Sequence, residues 1–252
     1  MFDVFLVLVD HKTETQFCNA LDKKKFSDLS EGLKRFVTLL NGNNEPDNAC
    51  IIRCYSRTKN VPSSAQHKAD FPYMPKRQTV RPKRDVIVII NGVEKKISLK
   101  SGGANSSHQE HWIYFSKLLE NLEASKEEIG AFNDFVHSRD RKYFNKHANE
   151  KKLMRNFLYR NKEDLIIHFL KTGYCSEEGH AEYMFHGKKD DILSDCVFAS
   201  TDCIIKKMMS MAPGSKANLP LGVSSLQRWN VTNKKKLDTI QCKMGKIREY
   251  MN

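Results

Sequence analysis

Apolar positions along the chain fall into short runs whose period changes, and those changes mark the expected elements. Val4 to Val9 is continuous apolar text and predicts a strand. Phe26, Leu29, Leu33, Phe36, Val37 and Leu40 share one helical stripe, which Asn41-Gly42 ends. Ile51 to Tyr55 predicts a short strand. Residues 56–84 are polar, carry Pro62, Pro72, Pro75 and Pro82, and show no period, as a surface loop or a segment that closes over a ligand would.

The pattern then sharpens. Asp85 to Ile90 ends in five consecutive β-branched residues, and Asn91-Gly92 is a strong hairpin signal suited to a type I′ turn. Val93 to Lys100 returns with alternation, placing Val93, Lys95, Ile97 and Leu99 on one face and Glu94, Lys96, Ser98 and Lys100 on the other. Ser101-Gly102-Gly103 breaks the strand. Ser107-x-x-Glu110 reads as a capping box opening a helix to about Leu122, and Ser125-x-x-Glu128 as another. Helical text with Leu153, Phe157, Leu165, Ile166 and Phe169 follows as far as Gly173. The last third reads as strands over Ala181–His186, Asp195–Ala199, Ser224–Trp229 and Thr239–Met244. These elements predict an α/β fold with a mixed central β-sheet flanked by helices and a strand-rich C-terminal elaboration. The expected division is a core with its helical region over 1–172, and a C-terminal part over 173–252 that either belongs to the same domain or adds recognition.

Composition narrows the class. The 252 residues hold 40% hydrophobic and 10% aromatic side chains, enough for a core. No apolar run approaches the roughly 20 residues that span a bilayer. Phe2 to Val9 is interrupted by Asp3 and lacks a basic flank, so it is expected to be a strand rather than a signal segment. The seven cysteines are odd in number and scattered, as reduced thiols in a cytoplasmic, reducing compartment are; no second Cys/His pair at zinc spacing follows Cys50 and Cys54. The formal net charge is +12. It is concentrated, with twelve Lys/Arg against three acids from Arg53 to Lys100, and nine against two from Arg139 to Lys162. Lys206 to Arg248 is again basic. A basic chain with no amphipathic helix bearing an aromatic face favours nucleic acid over a membrane surface.

Pairing about Asn91-Gly92 brings residues whose numbers sum to about 183 opposite one another. Asp85 should therefore face Ser98, with Lys100 one step further along the same face. A carboxylate and a lysine at one strand edge suit phosphodiester hydrolysis, where a metal-bound phosphate needs a ligand and a proton-handling cation. This block resembles the PD-(D/E)xK nuclease superfamily, which includes many type II restriction endonucleases. Its pieces are Pro82 and Asp85, then Ser98-Leu99-Lys100, then the following segment with Gln109 and Glu110. The resemblance implies an Mg2+-dependent endonuclease cutting double-stranded DNA, Mn2+ substituting. Asp85 would be a metal ligand, Lys100 the catalytic lysine, and the Leu99 backbone carbonyl a further ligand.

One position departs from the family pattern, since Ser98 stands where an acid is expected, and a hydroxyl is a poor Mg2+ ligand. Either Glu110 or, more weakly, Glu31 supplies the missing charge, or the site is weakened and the chain is a nucleic-acid-binding protein with a decayed centre. A ribonuclease of the same fold is the other alternative. His108 and His111 sit beside the expected site, His108 being the candidate base. Lys83 and Arg84 are expected beside the phosphate backbone, Gln109 is expected at DNA beside the site, and Gln227, Arg228 and Asn230 at base edges. Gln241-Cys-Lys243 is a lesser x-x-Lys candidate. Such enzymes often act as homodimers on palindromic sites, with 104–171 as the candidate interface.

Overall fold

The computed structural model describes residues 12–56, 59–72, 74, 78–102, 106–210, 217–222, 224–228, 238–244 and 247–251. The strand expected at Val4–Val9 lies outside the described residues, as do Trp229 and Asn230. In chain order the elements begin with α1 (Lys12–Leu21), β1 (Lys24–Lys25), α2 (Glu31–Leu40), β2 (Ile51–Ser56), β3 (Val61–Pro62), α3 (Ala65–Asp70) and β4 (Thr79–Val80). They continue through β5 (Val86–Ile90), β6 (Val93–Ser101), β7 (Ser106–His111), α4 (Trp112–Asn121), α5 (Lys126–His137), α6 (Tyr143–Lys146), α7 (Ala148–Arg160) and α8 (Lys162–Ile167). A π-helical turn, His168–Thr172, precedes β8 (Tyr183–Gly187), β9 (Val197–Ser200), α9 (Thr201–Ser210), β10 (Pro220–Leu221), β11 (Ser224–Arg228) and β12 (Thr239–Lys243).

The chain forms two compact units, and its segments interleave between them. The first unit comprises Met1–Lys59, Arg84–Gly103 and Glu182–Ala199. Its six-stranded sheet runs in the order β1-β2-β5-β6-β8-β9. The sheet is mixed: β2, β5 and β6 pair antiparallel, whereas β6 and β8 pair parallel. The stripe read from Phe26 to Leu40 does face the core, but it is split between a 3-10 turn, Phe26–Asp28, and α2, which Ser30 precedes. Phe17 of α1, Phe36 of α2 and Phe185 of β8 meet edge to face at centroid separations of 4.9–5.8 Å. Such contacts add to the apolar burial of Val86, Val88 and Ile97 beneath them.

The hairpin behaves as its sequence implies. Asn91 and Gly92 both take positive φ, 51° and 79°, as a type I′ turn requires. Val86 pairs with Ile97 and Ile90 with Val93, a register whose numbers sum to 183. The alternation expected along β6 does not appear in its burial, which instead rises along the strand. Val93 and Glu94 are exposed, but Ile97, Ser98 and Leu99 are all buried, because β6 becomes a central strand flanked by β5 and β8.

The second unit comprises Asn60–Lys83, Ala104–Ala181 and Ser200–Asn252. A four-stranded sheet, β10-β11-β12-β7, lies with helices α4 to α9. Phe115, Phe132 and Phe157 link α4, α5 and α7 at centroid separations of 5.5 and 5.7 Å. Helix α5 opens on the expected capping box, with Ser125 accepting from the Glu128 amide and Glu128 accepting from the Ser125 amide.

The first of the two expected capping boxes is absent. Ser107 and Glu110 lie on strand β7, and α4 starts only at Trp112, capped by His111, whose Nδ1 accepts from the Ile113 amide at 3.3 Å. The residues Ser-Ser-His-Gln-Glu-His contain no apolar stripe to hold a helix against a core. Pairing with β12, some 130 residues later, decides their conformation instead. Residues 56–84 also hold more structure than a loop, with β3, α3 and β4.

Candidate functional site

The hairpin edge brings together the central residues expected there. Asp85 precedes β5, and its backbone N–H donates to the Ile97 carbonyl at 2.8 Å, extending the ladder by one step. Ser98 therefore stands opposite Asp85. The Ser98 hydroxyl donates to Asp85 Oδ2 at 3.1 Å, and the Leu99 amide donates to the same oxygen at 2.7 Å. Lys100 Nζ donates to Ser98 Oγ at 2.9 Å. Carboxylate, hydroxyl and ammonium thus form one chain across two strands. Among the described residues both hydrogen bonds to the Asp85 side chain run to Oδ2, leaving Oδ1 for another partner. In an extended strand the N–H and C=O of one residue point to the same side, so the Leu99 carbonyl faces the Asp85 edge as its amide does.

Ser98 is 3% exposed, whereas Asp85 and Lys100 are half-buried. The hydroxyl acts as a buried spacer, and the two charged groups reach solvent on either side of it. One carboxylate plus a backbone carbonyl suits Mg2+, which leaves its other positions to water and phosphate oxygens. Glu31 opens α2, is exposed, and pairs with Lys34 at 3.1 Å.

The second unit places Glu110 in different company. Its Oε2 lies 2.7 Å from His108 Nε2 and 3.2 Å from His168 Nε2. Lys83 Nζ lies 2.6 Å from His108 Nδ1 and donates to the Phe169 carbonyl at 2.6 Å. An ammonium only donates, so Nδ1 accepts, the ring proton sits on Nε2, and His108 donates it to Glu110. Burial, then the Lys83 charge, push His108 down to about 4, which keeps the ring neutral at pH 7. Burial also raises the Glu110 carboxyl, but the interactions with His108 and His168, hydrogen bonds from both rings among them, outweigh it and hold Glu110 ionised. Neither His168, in helical text, nor Tyr174, just past its end, carries a signal in the sequence, since both are far from the hairpin.

Three basic residues expected at nucleic acid are engaged internally: Lys83, on His108 and the Phe169 carbonyl as above, and Arg84 and Arg228. Arg84 is 1% exposed, so its guanidinium does not line a phosphate backbone. Arg228 is likewise engaged within the second unit. Its guanidinium donates to the carbonyls of Phe135, Ser138 and Asp140, and lies over the rings of Phe135 and Tyr143. It closes the carbonyl end of α5 against β11, a favourable place for a cation. Arg228→Ala is expected to destabilise the protein by about 1–2 kcal/mol, because three part-buried carbonyls lose a charged donor; denaturant unfolding checks this.

The glutamines fare better. Gln227, Gln241 and Gln109 are successive cross-strand partners on β11, β12 and β7. Directly paired residues project from the same face, so the three amides form a row. Gln109 and Gln227 are exposed, and Gln241 between them is buried. His111, Ser225, Thr239 and Lys243 share that face by alternation, while Leu226, Ile240 and Cys242 fill the buried one.

The mixed central sheet flanked by helices matches a restriction-endonuclease-like fold. Among solved structures, the crystal structure of restriction endonuclease MspI in complex with its cognate DNA is similar at a TM-score of 0.55 and 14% identity. The match covers 82% of this chain and 76% of that one. No protein-family model and no curated protein matches the sequence. No helix among the described residues is long and apolar enough to cross a membrane.

Proposed function

We propose that this chain is an Mg2+-dependent endonuclease that hydrolyses phosphodiester bonds of double-stranded DNA at a specific sequence. The observation that carries the reading is the Asp85–Ser98–Lys100 chain of hydrogen bonds at the ends of β5 and β6. Mg2+, when bound by Asp85 and the Leu99 carbonyl, supplies charge neutralisation at the scissile phosphate. The protein's own contributions follow from the bonds already described. Ser98 and the Leu99 amide fix the Asp85 carboxylate in one orientation, so it does not have to be ordered when DNA arrives. The Ser98 hydroxyl also holds the Lys100 ammonium beside that carboxylate, where it can orient the attacking water and offset charge on the phosphate oxygens. The fold likeness to a structure that contains cognate DNA supports a DNA substrate.

Sequence reading is assigned to the polar face of the second sheet. A glutamine can pair bidentately with adenine in the major groove, and a β-ribbon is one of the shapes that groove accepts. The row Gln109–Gln241–Gln227 offers three amides spaced by the strand separation, with Lys243 on the same face for phosphate. Gln109→Ala and Gln227→Ala are each expected to weaken preferred over random DNA by about 10-fold, with little effect on random DNA. Competition binding at fixed salt measures this. Equal weakening on both DNAs would remove the face from sequence reading.

Ser98 favours a second reading, a nucleic-acid-binding protein whose centre has decayed. Incubation of supercoiled plasmids from several sources with the protein and Mg2+ or Mn2+ separates the two. Nicking or linearisation supports the nuclease; DNA binding without any cleavage supports the decayed centre. A parallel incubation with RNA identifies a ribonuclease.

A further inference from the structure

His108, Glu110 and His168 form a cluster that the proposed hydrolysis does not use. One ligand atom from each lies within 4.8 Å of the other two. Two imidazole nitrogens and one carboxylate oxygen, supplied by β7 and the turn at His168, are the donor set of a divalent transition metal with an open position. Mg2+ prefers oxygens alone, so this set differs in kind from the donors at the hairpin edge. Glu110 is 6% exposed, and its Oε1 is buried without a hydrogen-bond partner among the described residues. The Tyr174 hydroxyl faces the same carboxylate closely enough for the Glu110 charge, after burial, to raise it well above the usual range. A hydrogen bond to Glu110 adds to that rise, although neither oxygen has a partner of good geometry among the described residues. A buried carboxylate oxygen left in this way suits a cation better than a purely structural network.

The supports are firm. His108 and Glu110 alternate on β7, which β12 pins by its ladder. His168 opens a π-helical turn, an irregularity that often accompanies a functional site and here aims its Nε2 at Glu110.

We infer that His108, Glu110 and His168 bind one divalent transition-metal ion of the Zn2+ class, which ties β7 to the turn His168–Thr172. Binding through His108 Nε2 moves the ring proton to Nδ1, the nitrogen that now accepts from Lys83. Lys83 must then withdraw its ammonium, so in the protein without metal it occupies a position that the ion would make unfavourable. A residue able to accept the Nδ1 proton should improve the site.

The test is metal uptake by the full chain, without DNA, after dialysis against chelator. Zn2+ is expected to bind at one equivalent per chain, micromolar or tighter, and to raise the unfolding midpoint by about 5 °C at a hundredfold excess over Kd. His168→Ala and Glu110→Gln should each weaken uptake by about 100-fold, and Lys83→Gln should tighten it by about 10-fold. Asp85→Ala should leave it unchanged. Co2+ supplies a readout that needs no variant: a four-coordinate site of this composition gives intense visible absorption, which Zn2+ abolishes. Absence of stoichiometric Zn2+ and of that Co2+ absorption in wild type overturns the inference, as does uptake that survives His168→Ala and Glu110→Gln. Uptake lost in Asp85→Ala places the ion at the hairpin edge and overturns it too. None of these measurements involves DNA cleavage, so a failure here and a failure of the nuclease reading are separately visible.

Discussion

Asp85→Ala is expected to abolish metal-dependent plasmid cleavage, lowering the rate by about 1,000-fold or more while leaving the fold intact. The carboxylate is half-buried at a strand end, and its partners are a hydroxyl and a backbone amide rather than a buried charge. Its removal therefore leaves no stranded ion inside the protein. Lys100→Ala should lose a similar factor, because the ammonium is offered at the same edge. The double variant should be no worse than either single one, since the two groups serve one step. DNA binding separates this from a general loss of function: both variants should bind DNA within a few-fold of wild type. Cleavage that persists in Asp85→Ala, measured by conversion of supercoiled plasmid, would place the hydrolytic centre elsewhere in the chain.

The part of the fold legible in the sequence was the part governed by local rules. Asn91-Gly92 demands positive φ at two successive residues, and five β-branched residues before it demand an extended chain. Those two constraints fix a register, and the register places Asp85 against Ser98 without reference to the rest of the protein. The capping box at Ser125 is equally local. What the text cannot carry is partnership at a distance. Ser107-x-x-Glu110 has the letters of a capping box, yet β12 claims the segment as a strand. Helices α1 and α9 bury Phe17, Leu21, Ile204 and Met208, but their stripes are too short and too interrupted by Lys and Asp to stand out.

The candidate site divides in the same way. Asp85, Ser98 and Lys100 were legible because a hairpin is a local device. Arg228 and Arg84 were misread because a basic residue in a basic chain looks like a phosphate contact until its surroundings are known. Arg228 turns out to serve carbonyls that α5 and the loop after it leave open. The glutamine row could not be read at all as a row. It needs β7, β11 and β12 side by side, and those come from segments up to about 130 residues apart. His168 depends on the same kind of information, since only the folded second unit brings its ring to Glu110.

Among the described glycines of the first unit, Gly187→Ala should be the most damaging substitution. Gly187 ends β8, pairs with Ser101, and accepts at its carbonyl from the Gly102 amide at 2.9 Å. The chain then folds back so closely that a Cβ at Gly187 would lie 1.7 Å from the Ile192 carbonyl oxygen and 2.4 Å from its carbon. Those are backbone atoms, and Ile192 is buried in the core cluster, so neither side can yield by rotating a side chain. Either the turn over 188–192 lifts off the sheet or β8 loses its register beside Lys100. The expected loss is about 3 kcal/mol or more, equivalent to a fall of about 10 °C in the unfolding midpoint, or failure to fold. Gly92→Ala gives the contrast. There φ is +79°, but no atom approaches the new Cβ within 4 Å, so the penalty is backbone strain alone, about 1 kcal/mol. Thermal unfolding of the two variants in parallel measures the difference. Equal midpoints would mean that the Ile192 carbonyl can move aside, and that the sheet edge carrying Lys100 is softer than its packing implies.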